Sequence, residues 1–479
     1  MRSNRLFVLL PGVLLILGCG GGGGGGGGTP KPLPTSVTVT PKNPAVSVGS
    51  TQQFAAMAVF SNTSTHDVTS SVTWSSSNVR VATIDAGGLA SAKAAGTTTI
   101  SALAGSVSDA TSMTVPMPVG GNIIPVTVNG SLCSSGSYPN KLCVSVTVCT
   151  PGTGTCQTIT DILLDTGSYG LRVFKQALSV PLNQVTVASG NLAECVQFVD
   201  GTADWGPVQN ADVVLGGEPA VTVPIQVVDA TFSKVPAGCG TPEASPAVAG
   251  FNGILGVGLF TEDCGAGCVS AAGNGVYFAC AGTTCSGTAV PLASQVQNPV
   301  AGLPVDNNGV LVQLPAVPLG GTTSNNGQLV LGIGTQTNNI PSGVMAFPAS
   351  TTGDFTTVFN GTTLNNSFID SGSNAFFFTD AALQACAAPN STWFCPPTTQ
   401  NLSATTSGAA GSPSVTVPFQ IGNALALFGS GNSAFVELGG SLSGVSGFDW
   451  GLPFFYGRNV FVGIQGKSTS LGTGPFWAY

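Results

Sequence analysis

The chain has 479 residues, of which 43% are hydrophobic and only 7% are charged, and it contains 67 Gly and 32 Pro. This length predicts two or three domains, and this composition predicts many short strands joined by Gly, Pro, Asn and Ser turns, with little helix. The net charge of −8 argues against nucleic acid as a partner, so we expect none.

The N-terminus has the pattern of an export signal. Arg2 and Arg5 precede the apolar run 6–17, which is too short for a comfortable transmembrane span. The sequence Ile16-Leu17-Gly18-Cys19 resembles a bacterial lipobox, whose cysteine is lipidated and becomes the mature N-terminus. This resemblance implies a lipoprotein signal peptide over residues 1–19, with Cys19 as the lipidation site. A plain secretory signal is the alternative.

The lipobox resemblance also implies a location. A lipid on Cys19 would hold a soluble body at a membrane without spanning it. We therefore expect a bacterial cell-envelope protein, at a lipid-anchored membrane surface, in the periplasm, or exposed outside the cell. Residues 20–34 begin with nine glycines and end in a Pro-rich stretch, which predicts a linker with no fold of its own.

Residues 35–117 alternate in polarity between turn clusters. The runs Val37–Thr40, Gln53–Val59 and Val72–Ser75 read as short strands, which predicts an all-β sandwich. The segment looks like a bacterial group 2 immunoglobulin-like domain, as found in intimin and invasin adhesins, with Trp74 as its core tryptophan. Such a module would act either as a spacer or as an adhesin.

Two carboxylate loops, about two hundred residues apart, follow apolar runs in the remainder of the chain. The first is Leu163-Leu164-Asp165-Thr166-Gly167-Ser168, and the second is Phe368-Ile369-Asp370-Ser371-Gly372-Ser373. Each predicts a buried strand that ends by presenting one carboxylate on a tight turn, with a glycine that permits close backbone approach. Later in each half come two apolar residues and a glycine, at Ile254-Leu255-Gly256 and near Trp450-Gly451.

These paired motifs resemble the pepsin-like aspartic peptidases. The resemblance covers residues 118–479 and implies an all-β, bilobal double-β-barrel domain, with lobes at about 120–300 and 301–479. It also implies that Asp165 and Asp370 share a proton, because two carboxylates about 3 Å apart in a dry cleft cannot both ionise. The ionised member would activate a water, and the protonated one would hydrogen-bond the oxyanion.

The resemblance assigns roles to the flanking residues as well. Thr166 and Ser371 would lock the two loops to each other, and Ser168 and Ser373 would hydrogen-bond the outer carboxylate oxygens. Gly167 and Gly372 complete the two turns.

The sequence departs from the pepsin-like pattern in the flap hairpin, which in that family covers the substrate cleft, and just after the first Asp loop. Residues 198–217 predict a hairpin, which matches the family's flap, and a following strand at Ala211–Gly216. Val199 or Asp200 stands where the family has a tyrosine in this flap, so Phe198 or Trp205 is expected to cover the site instead. Arg172 replaces an expected tryptophan, and we expect it either to bind an acidic substrate group or to pair with a surface carboxylate.

Composition limits the other chemistry available to this domain. The single histidine, His66, falls in the first domain, so Ser/His/Asp and Cys/His catalysis are excluded in the second. We expect no cofactor and no metal. The twelve cysteines after Cys19 predict disulfides, mostly between near neighbours such as Cys133/Cys143; a zinc site from Cys264, Cys268, Cys280 and Cys285 is the alternative.

The sequence therefore favours a membrane-tethered, extracytoplasmic aspartic endopeptidase that acts on a peptide or protein substrate, and we expect it to be a monomer. Apolar walls from Ile254, Leu255 and Phe376–Phe378 predict apolar residues around the cut. The alternatives are an inactive pepsin-like binding module and a surface adhesin. We also expect one short helix at Asp380–Cys386.

Overall fold

The computed structural model describes residues 32–79, 81–93, 96–116, 120–134, 138–441 and 446–479. The predicted signal peptide, Cys19 and nearly all of the linker lie outside the described residues. Within the described residues, no helix is long and apolar enough to cross a membrane.

The first domain is a small β-sandwich. Its strands are β1 (Pro34–Thr40), β2 (Thr51–Gln53), β3 (Ala55–Phe60), β4 (Thr65–Asp67), β5 (Thr73–Ser76), β6 (Ala82–Ile84), β7 (Leu89–Ala92), β8 (Gly96–Ala104) and β9 (Val107–Val115). They form three sheets of three strands each, in the orders β1-β3-β4, β2-β7-β6 and β5-β8-β9. Phe54, Ile100 and Met113 are fully buried between them. Trp74 packs half-buried at the edge of this core and donates from Nε1 to the Thr69 carbonyl at 2.8 Å.

The second domain is built almost entirely of strands. Its first fifteen strands are β10 (Ile123–Val128), β11 (Leu142–Cys149), β12 (Cys156–Asp165), β13 (Tyr169–Phe174), β14 (Asn183–Gln184), β15 (Thr186–Val187), β16 (Gly190–Gln197), β17 (Ala203–Val214), β18 (Val221–Val228), β19 (Gly253–Val257), β20 (Tyr277–Ala281), β21 (Thr284–Gly287), β22 (Gly309–Gln313), β23 (Asn325–Leu331) and β24 (Ala346–Pro348). The remaining strands are β25 (Phe355–Phe359), β26 (Thr362–Ile369), β27 (Phe376–Phe377), β28 (Gln400–Ser407), β29 (Ser414–Ile421), β30 (Gly439–Gly440), β31 (Asp449–Trp450), β32 (Asn459–Gly463), β33 (Ser468–Thr469), β34 (Gly472–Thr473) and β35 (Phe476–Ala478).

Helix is a minor component, which confirms the all-β prediction. The described residues contain three α-helices, α1 (Pro246–Ala249), α2 (Ala266–Ser270) and α3 (Ala424–Phe428). They also contain single 3-10 turns at Lys175–Ala177, Ala237–Cys239, Leu292–Ser294, Pro299–Gly302 and Leu452–Phe455.

Two local predictions were wrong. The segment Asp380–Cys386 is not helical, because its backbone pairs with a neighbouring segment instead: Cys386 N donates to the Trp393 carbonyl at 2.9 Å. The predicted hairpin at 198–217 begins earlier, with β16, and Ala211–Val214 continues β17 rather than forming a separate strand.

A six-stranded antiparallel sheet joins segments that are far apart in the chain. Its order is β10-β23-β22-β32-β35-β24, so strands from the beginning and the end of the domain lie side by side. Strands β25–β31 form a separate seven-stranded sheet.

The strand arrangement around each Asp loop is repeated. In the first half, β19 lies between β12 and β13, parallel to β12 and antiparallel to β13. In the second half, β31 lies between β26 and β27, again parallel to the first and antiparallel to the second. One glycine within β19 and one directly after β31 permit this: a Cβ on Gly256 would lie 2.6 Å from Tyr169 N, and one on Gly451 would lie 2.0 Å from the Ala375 carbonyl oxygen.

All twelve cysteines after Cys19 form disulfides, which confirms that prediction. The pairs are Cys133–Cys143, Cys149–Cys156, Cys195–Cys239, Cys264–Cys268, Cys280–Cys285 and Cys386–Cys395. Five of the six join residues ten or fewer positions apart. The alternative zinc site is wrong, because its four sulfurs are committed to two disulfides.

The one long disulfide loop should matter most for stability. Cys195–Cys239 spans 44 positions, whereas Cys149–Cys156 spans 7. Because a longer loop restricts the unfolded chain more, replacing both cysteines by Ala should cost about 4 kcal/mol for the first pair and about 2.5 kcal/mol for the second. Urea unfolding of the oxidised proteins measures this, with thiol titration as the check that the other ten cysteines stay paired. Equal losses would contradict the loop-length argument.

Candidate functional site

Two short loops, each carrying one carboxylate, meet at the centre of the second domain. Asp165 ends β12, and Asp370 directly follows β26. The glycine of each loop faces the carboxylate of the other: a Cβ on Gly167 would lie 2.6 Å from Asp370 Cγ, and one on Gly372 would lie 2.8 Å from Asp165 Cγ. A side chain at either glycine would collide with a carboxylate, so the two turns require glycine in order to bring the acids together.

Reciprocal hydrogen bonds fasten the loops to each other. The Thr166 hydroxyl donates to the Ile369 carbonyl at 3.0 Å and accepts from Ser371 N at 3.0 Å. In the mirror arrangement, the Ser371 hydroxyl donates to the Leu164 carbonyl at 2.7 Å and accepts from Thr166 N at 3.2 Å. Thr166 and Ser371 are fully buried, so all four backbone groups depend on these two hydroxyls.

Each carboxylate is also held by its own loop. Asp165 Oδ1 accepts from Gly167 N at 2.7 Å, and its Oδ2 accepts from the Ser168 hydroxyl at 2.6 Å. Asp370 has the same pattern, with Gly372 N at 2.7 Å and the Ser373 hydroxyl at 2.9 Å. Ser168 N donates to Asp165 Oδ1 as well, at 3.1 Å, so Asp165 is held by three donors and Asp370 by two, in two nearly equivalent turns.

Burial and neighbouring carboxyls act on the protonation of Asp370. Burial raises the pKa of Asp370 well above its usual range, and the charges of Asp165 and Asp449 and a hydrogen bond to Asp165 add to that rise. Two carboxyls that hydrogen-bond each other hold one proton between them, so Asp165 and Asp370 have the arrangement of a pair that shares a proton.

A third carboxyl, Asp449, lies behind this pair and was missed by the sequence interpretation. It occupies β31 opposite Phe368, a position that is the apolar Ile254 in the first half. Asp449 is fully buried, and neither of its oxygens has a hydrogen-bond partner within the described residues. Burial raises its pKa well above the usual range. The signal available in the sequence was an acid in an otherwise apolar strand.

The β16–β17 hairpin covers the pair. Its turn is closed by Phe198 N donating to the Thr202 carbonyl at 2.9 Å, and Asp200 Oδ1 accepts from Thr202 N at 2.9 Å. Phe198 and Val199 contribute to the walls of the cleft on both sides of the two acids, and Asp200 does so on one side. Of the two residues expected to cover the site, Phe198 lines the cleft and Trp205 does not.

Trp205 lies away from the cleft. It is fully buried on the other face of the hairpin, where its ring packs against Phe232 and Phe278, and its Nε1 donates to the Phe232 carbonyl at 2.7 Å. Strand alternation explains the correction, because neighbouring residues of β17 point to opposite faces.

Arg172 pairs with carboxylates, but it is buried rather than at the surface. Its Nη2 lies 2.8 Å from Glu194 Oε1 and 2.9 Å from Asp263 Oδ2, and Nη1 donates to the Tyr169 carbonyl at 2.7 Å. Tyr277 donates to the other Asp263 oxygen at 2.6 Å. This network ties β13 to β16, so the guanidinium anchors the base of the hairpin.

The cleft consists of two cavities that share the acid pair. The first, of about 150 Å³, is lined by Tyr138, Leu163, Asp165, Phe198, Val199, Asp200, Thr202, Asp204, Glu243, Phe251, Ile254, Asp370, Gly372, Ser373, Asn374 and Phe377. The second, of about 310 Å³, extends past Ser168, Tyr169 and Arg172 to Asp354 and Trp477.

Of the residues predicted as apolar walls, the first cavity contains Ile254 and Phe377, whereas Leu255, Phe376 and Phe378 belong to the core behind it. The predicted apolar wall is therefore only partly present.

One group in the described residues has the spacing of metal ligands, Cys133, Cys143 and Asp161. The two sulfurs form a disulfide, and Asp161 Oδ1 pairs with Lys141 Nζ at 2.8 Å. The group therefore offers no thiolate to a metal ion.

Comparisons with known proteins divide the chain in the same way. A family model described as "Protein of unknown function (DUF3443)" matches residues 118–479, and one described as "Bacterial Ig-like domain (group 2)" matches residues 34–115. The second match confirms the immunoglobulin-like domain predicted for residues 35–117.

The chain is also similar to Ice-binding protein 1 of Shewanella frigidimarina, with 41% identity over 102 residues, which are 21% of this chain and 11% of that protein. It thus spans about a tenth of the length of this relative. None of these three similarities is to an aspartic peptidase, so the pepsin-like resemblance rests on the residues and the geometry.

Removing either locking hydroxyl should destabilise the domain. Thr166→Val leaves Ser371 N and the Ile369 carbonyl unpaired and buried, which should cost about 2–4 kcal/mol. Ser371→Ala should cost a similar amount, and the double variant should lose less than the sum, because the two hydroxyls serve the same contact. Denaturant unfolding measures these losses. The matched control is Thr363→Val on exposed β26, which should stay within about 0.5 kcal/mol; a loss at Thr166 no larger than at this control would contradict the locking role.

Stability should fall as pH rises from about 4 to 8. Burial raises the pKa of Asp204 to about 7 and that of Glu218 to about 8, and it raises those of Asp370 and Asp449 well above their usual range. The unfolded chain ionises these acids near pH 4, whereas the folded chain keeps its protons, so unfolding becomes easier through this window.

Glu218→Gln should flatten this decline by up to about 1.4 kcal/mol per pH unit. Melting curves at pH 4 to 8 test it, with Asp380→Asn as the control that keeps the wild-type slope. A wild-type stability that rises across the window would contradict the assignment.

Proposed function

The chain belongs to the DUF3443 family, and we propose that its second domain is an aspartic endopeptidase of pepsin-like fold, with Asp165 and Asp370 as the catalytic pair. One observation carries the proposal: two equivalent loops, locked by reciprocal hydroxyl bonds, set two acids against each other in a covered cleft. A structural turn has no need of that pairing, because two buried acids in contact cost stability unless they share a proton.

The proposed reaction is hydrolysis of a peptide bond by an activated water. Asp165, fixed by Gly167 N and Ser168, acts as the base and takes a proton from a water lying between the two acids. That water attacks the peptide carbonyl, and Asp370 donates its proton to the developing oxyanion. The tetrahedral intermediate then breaks its C–N bond as Asp165 passes the water's proton to the amine nitrogen, and a hydroxyl of the intermediate returns a proton to Asp370. The hairpin carrying Phe198 excludes bulk water over the reacting groups.

We further propose that the protein works outside the cytoplasm, tethered by lipid at Cys19. Six disulfides support an oxidising compartment, and the immunoglobulin-like domain supports a spacer that holds the second domain away from the membrane.

A peptide-binding protein without catalysis is the second candidate. The observation that favours it is the hairpin, where Val199 or Asp200 stands at the one position at which the pepsin-like family has a tyrosine. Asp449 adds a third buried acid, which would favour a neutral, doubly protonated pair over an ionised one.

Activity should be bell-shaped in pH and centred on the acid side, because one member of the pair must be protonated and the other ionised. Cleavage of a broad peptide library by the full chain between pH 3 and 7 measures it. Asp165→Asn and Asp370→Asn should each lose roughly 10³-fold or more in turnover, and the double variant should be little worse.

Asp380→Asn, outside the cleft, is the matched control and should retain turnover. If the wild type binds peptides but cleaves none of them in this range, the peptide-binding candidate replaces the enzyme.

A further inference from the structure

The first cavity is lined by acids without a base to balance them. Besides the catalytic pair, it contains Asp200, Asp204 and Glu243, and no Lys, Arg or His is among its lining residues. Because the cavity adjoins Asp165 and Asp370, whatever occupies it lies next to the scissile bond.

Asp204 is buried and directed into this cavity. It is only 2% exposed, and its neighbours in β17, Ala203 and Trp205, pack into the apolar cluster on the opposite face of the hairpin. Strand alternation therefore turns Asp204 toward the cleft. Within the described residues, no group donates a hydrogen bond to its carboxyl, although buried carboxyls ordinarily have such partners.

The nearby bases are committed elsewhere. Arg172 is engaged by Glu194 and Asp263. Lys141 Nζ lies 2.8 Å from Asp161 Oδ1 and is 1% exposed. Neither can move to Asp204 without abandoning a buried partner, which is costly.

Asp204 is surrounded mostly by other acids, so a bound cation would be favoured electrostatically at this position. Burial raises its pKa to about 7, and the Arg172 charge opposes that rise. Glu243 and Glu194 add to the rise, as does Asp200 at the hairpin turn. A cation within hydrogen-bond distance would reverse the effect and favour the ionised carboxylate.

We propose that the first cavity is a specificity pocket for a basic side chain, arginine or lysine, at a residue flanking the cleaved bond, with Asp204 as the buried partner and Glu243 and Asp200 at its rim. The proposal rests on the proposed function, since it names the substrate class of that same cleft. It replaces the expectation of apolar residues on both sides of the cut, because the wall of this cavity is only partly apolar.

The test compares arginine with citrulline, which has nearly the same shape but no charge. Peptides that are identical except for Arg or citrulline at each position are offered to the full-length protein at pH 5 to 6. At a position flanking the cut, kcat/KM for the arginine peptide should exceed that for the citrulline peptide roughly tenfold or more. The preference should grow toward pH 7 as Asp204 ionises.

Asp204→Asn should bring this ratio close to one, and Glu243→Gln should reduce it partly. Asp380→Asn should keep the wild-type ratio. Glu243 is partly exposed and its variant carries little folding risk, so it also tests the pocket if Asp204→Asn does not fold. Cleavage of the citrulline peptide as fast as the arginine peptide would overturn the pocket while leaving the peptidase intact.

If no peptide is cleaved, the peptidase fails but the pocket is still tested by binding. Fluorescence anisotropy of the same labelled peptides on the wild type should then give a Kd for the arginine peptide roughly tenfold lower than for the citrulline peptide. Asp204→Asn should abolish this difference in Kd. Equal affinities would overturn the pocket in that case too.

Discussion

The crossed hydroxyl bonds of Thr166 and Ser371 are the contact on which the rest of this domain depends. Each hydroxyl serves two backbone groups of the opposite loop, and both are sealed from solvent. Since the loops end strands from two different sheets, this contact fixes how those sheets meet. The distance between the two acids is therefore set by backbone geometry, not by the flexibility of the carboxyl side chains.

The strand order makes this contact possible. A strand inserted between the two arms of each loop keeps the turn rigid, and Gly256 and Gly451 let the arms close over it. The two halves are equivalent in backbone but not in charge, because Asp449 replaces the apolar Ile254. That difference places a third buried carboxyl near the pair, and its charge, when ionised, adds to the rise in the pKa of Asp370.

Features of the fold and the site that depend on residues close together in sequence could be predicted, whereas features that depend on tertiary contacts could not. The Asp loops, the inserted strands and four of the five short disulfides were predictable, because each depends on residues close together in sequence or on a repeated motif. Trp205 was misjudged because its direction depends on the register of β17, which a one-residue shift reverses. The partners of Arg172 are distant in sequence, Glu194 in β16 and Asp263 in the segment after β19, so burial of that network had no local signal. The Asp380–Cys386 segment lost its helix to pairing with Trp393, another tertiary effect.

The few charges of this protein are concentrated around the cleft. Only 7% of residues are charged, yet nine of the 20 acids line or adjoin the two cavities: Asp165, Asp200, Asp204, Glu194, Glu243, Asp263, Asp354, Asp370 and Asp449. Among the described lining residues, Arg172 is the one base, and it already has two carboxylate partners. Such a surplus is tolerable in two circumstances: some of the acids hold protons, or a cation enters. Acid pH satisfies the first condition and a basic substrate side chain the second, so the same charge distribution links the pH at which the cleft would work to the substrate it would accept.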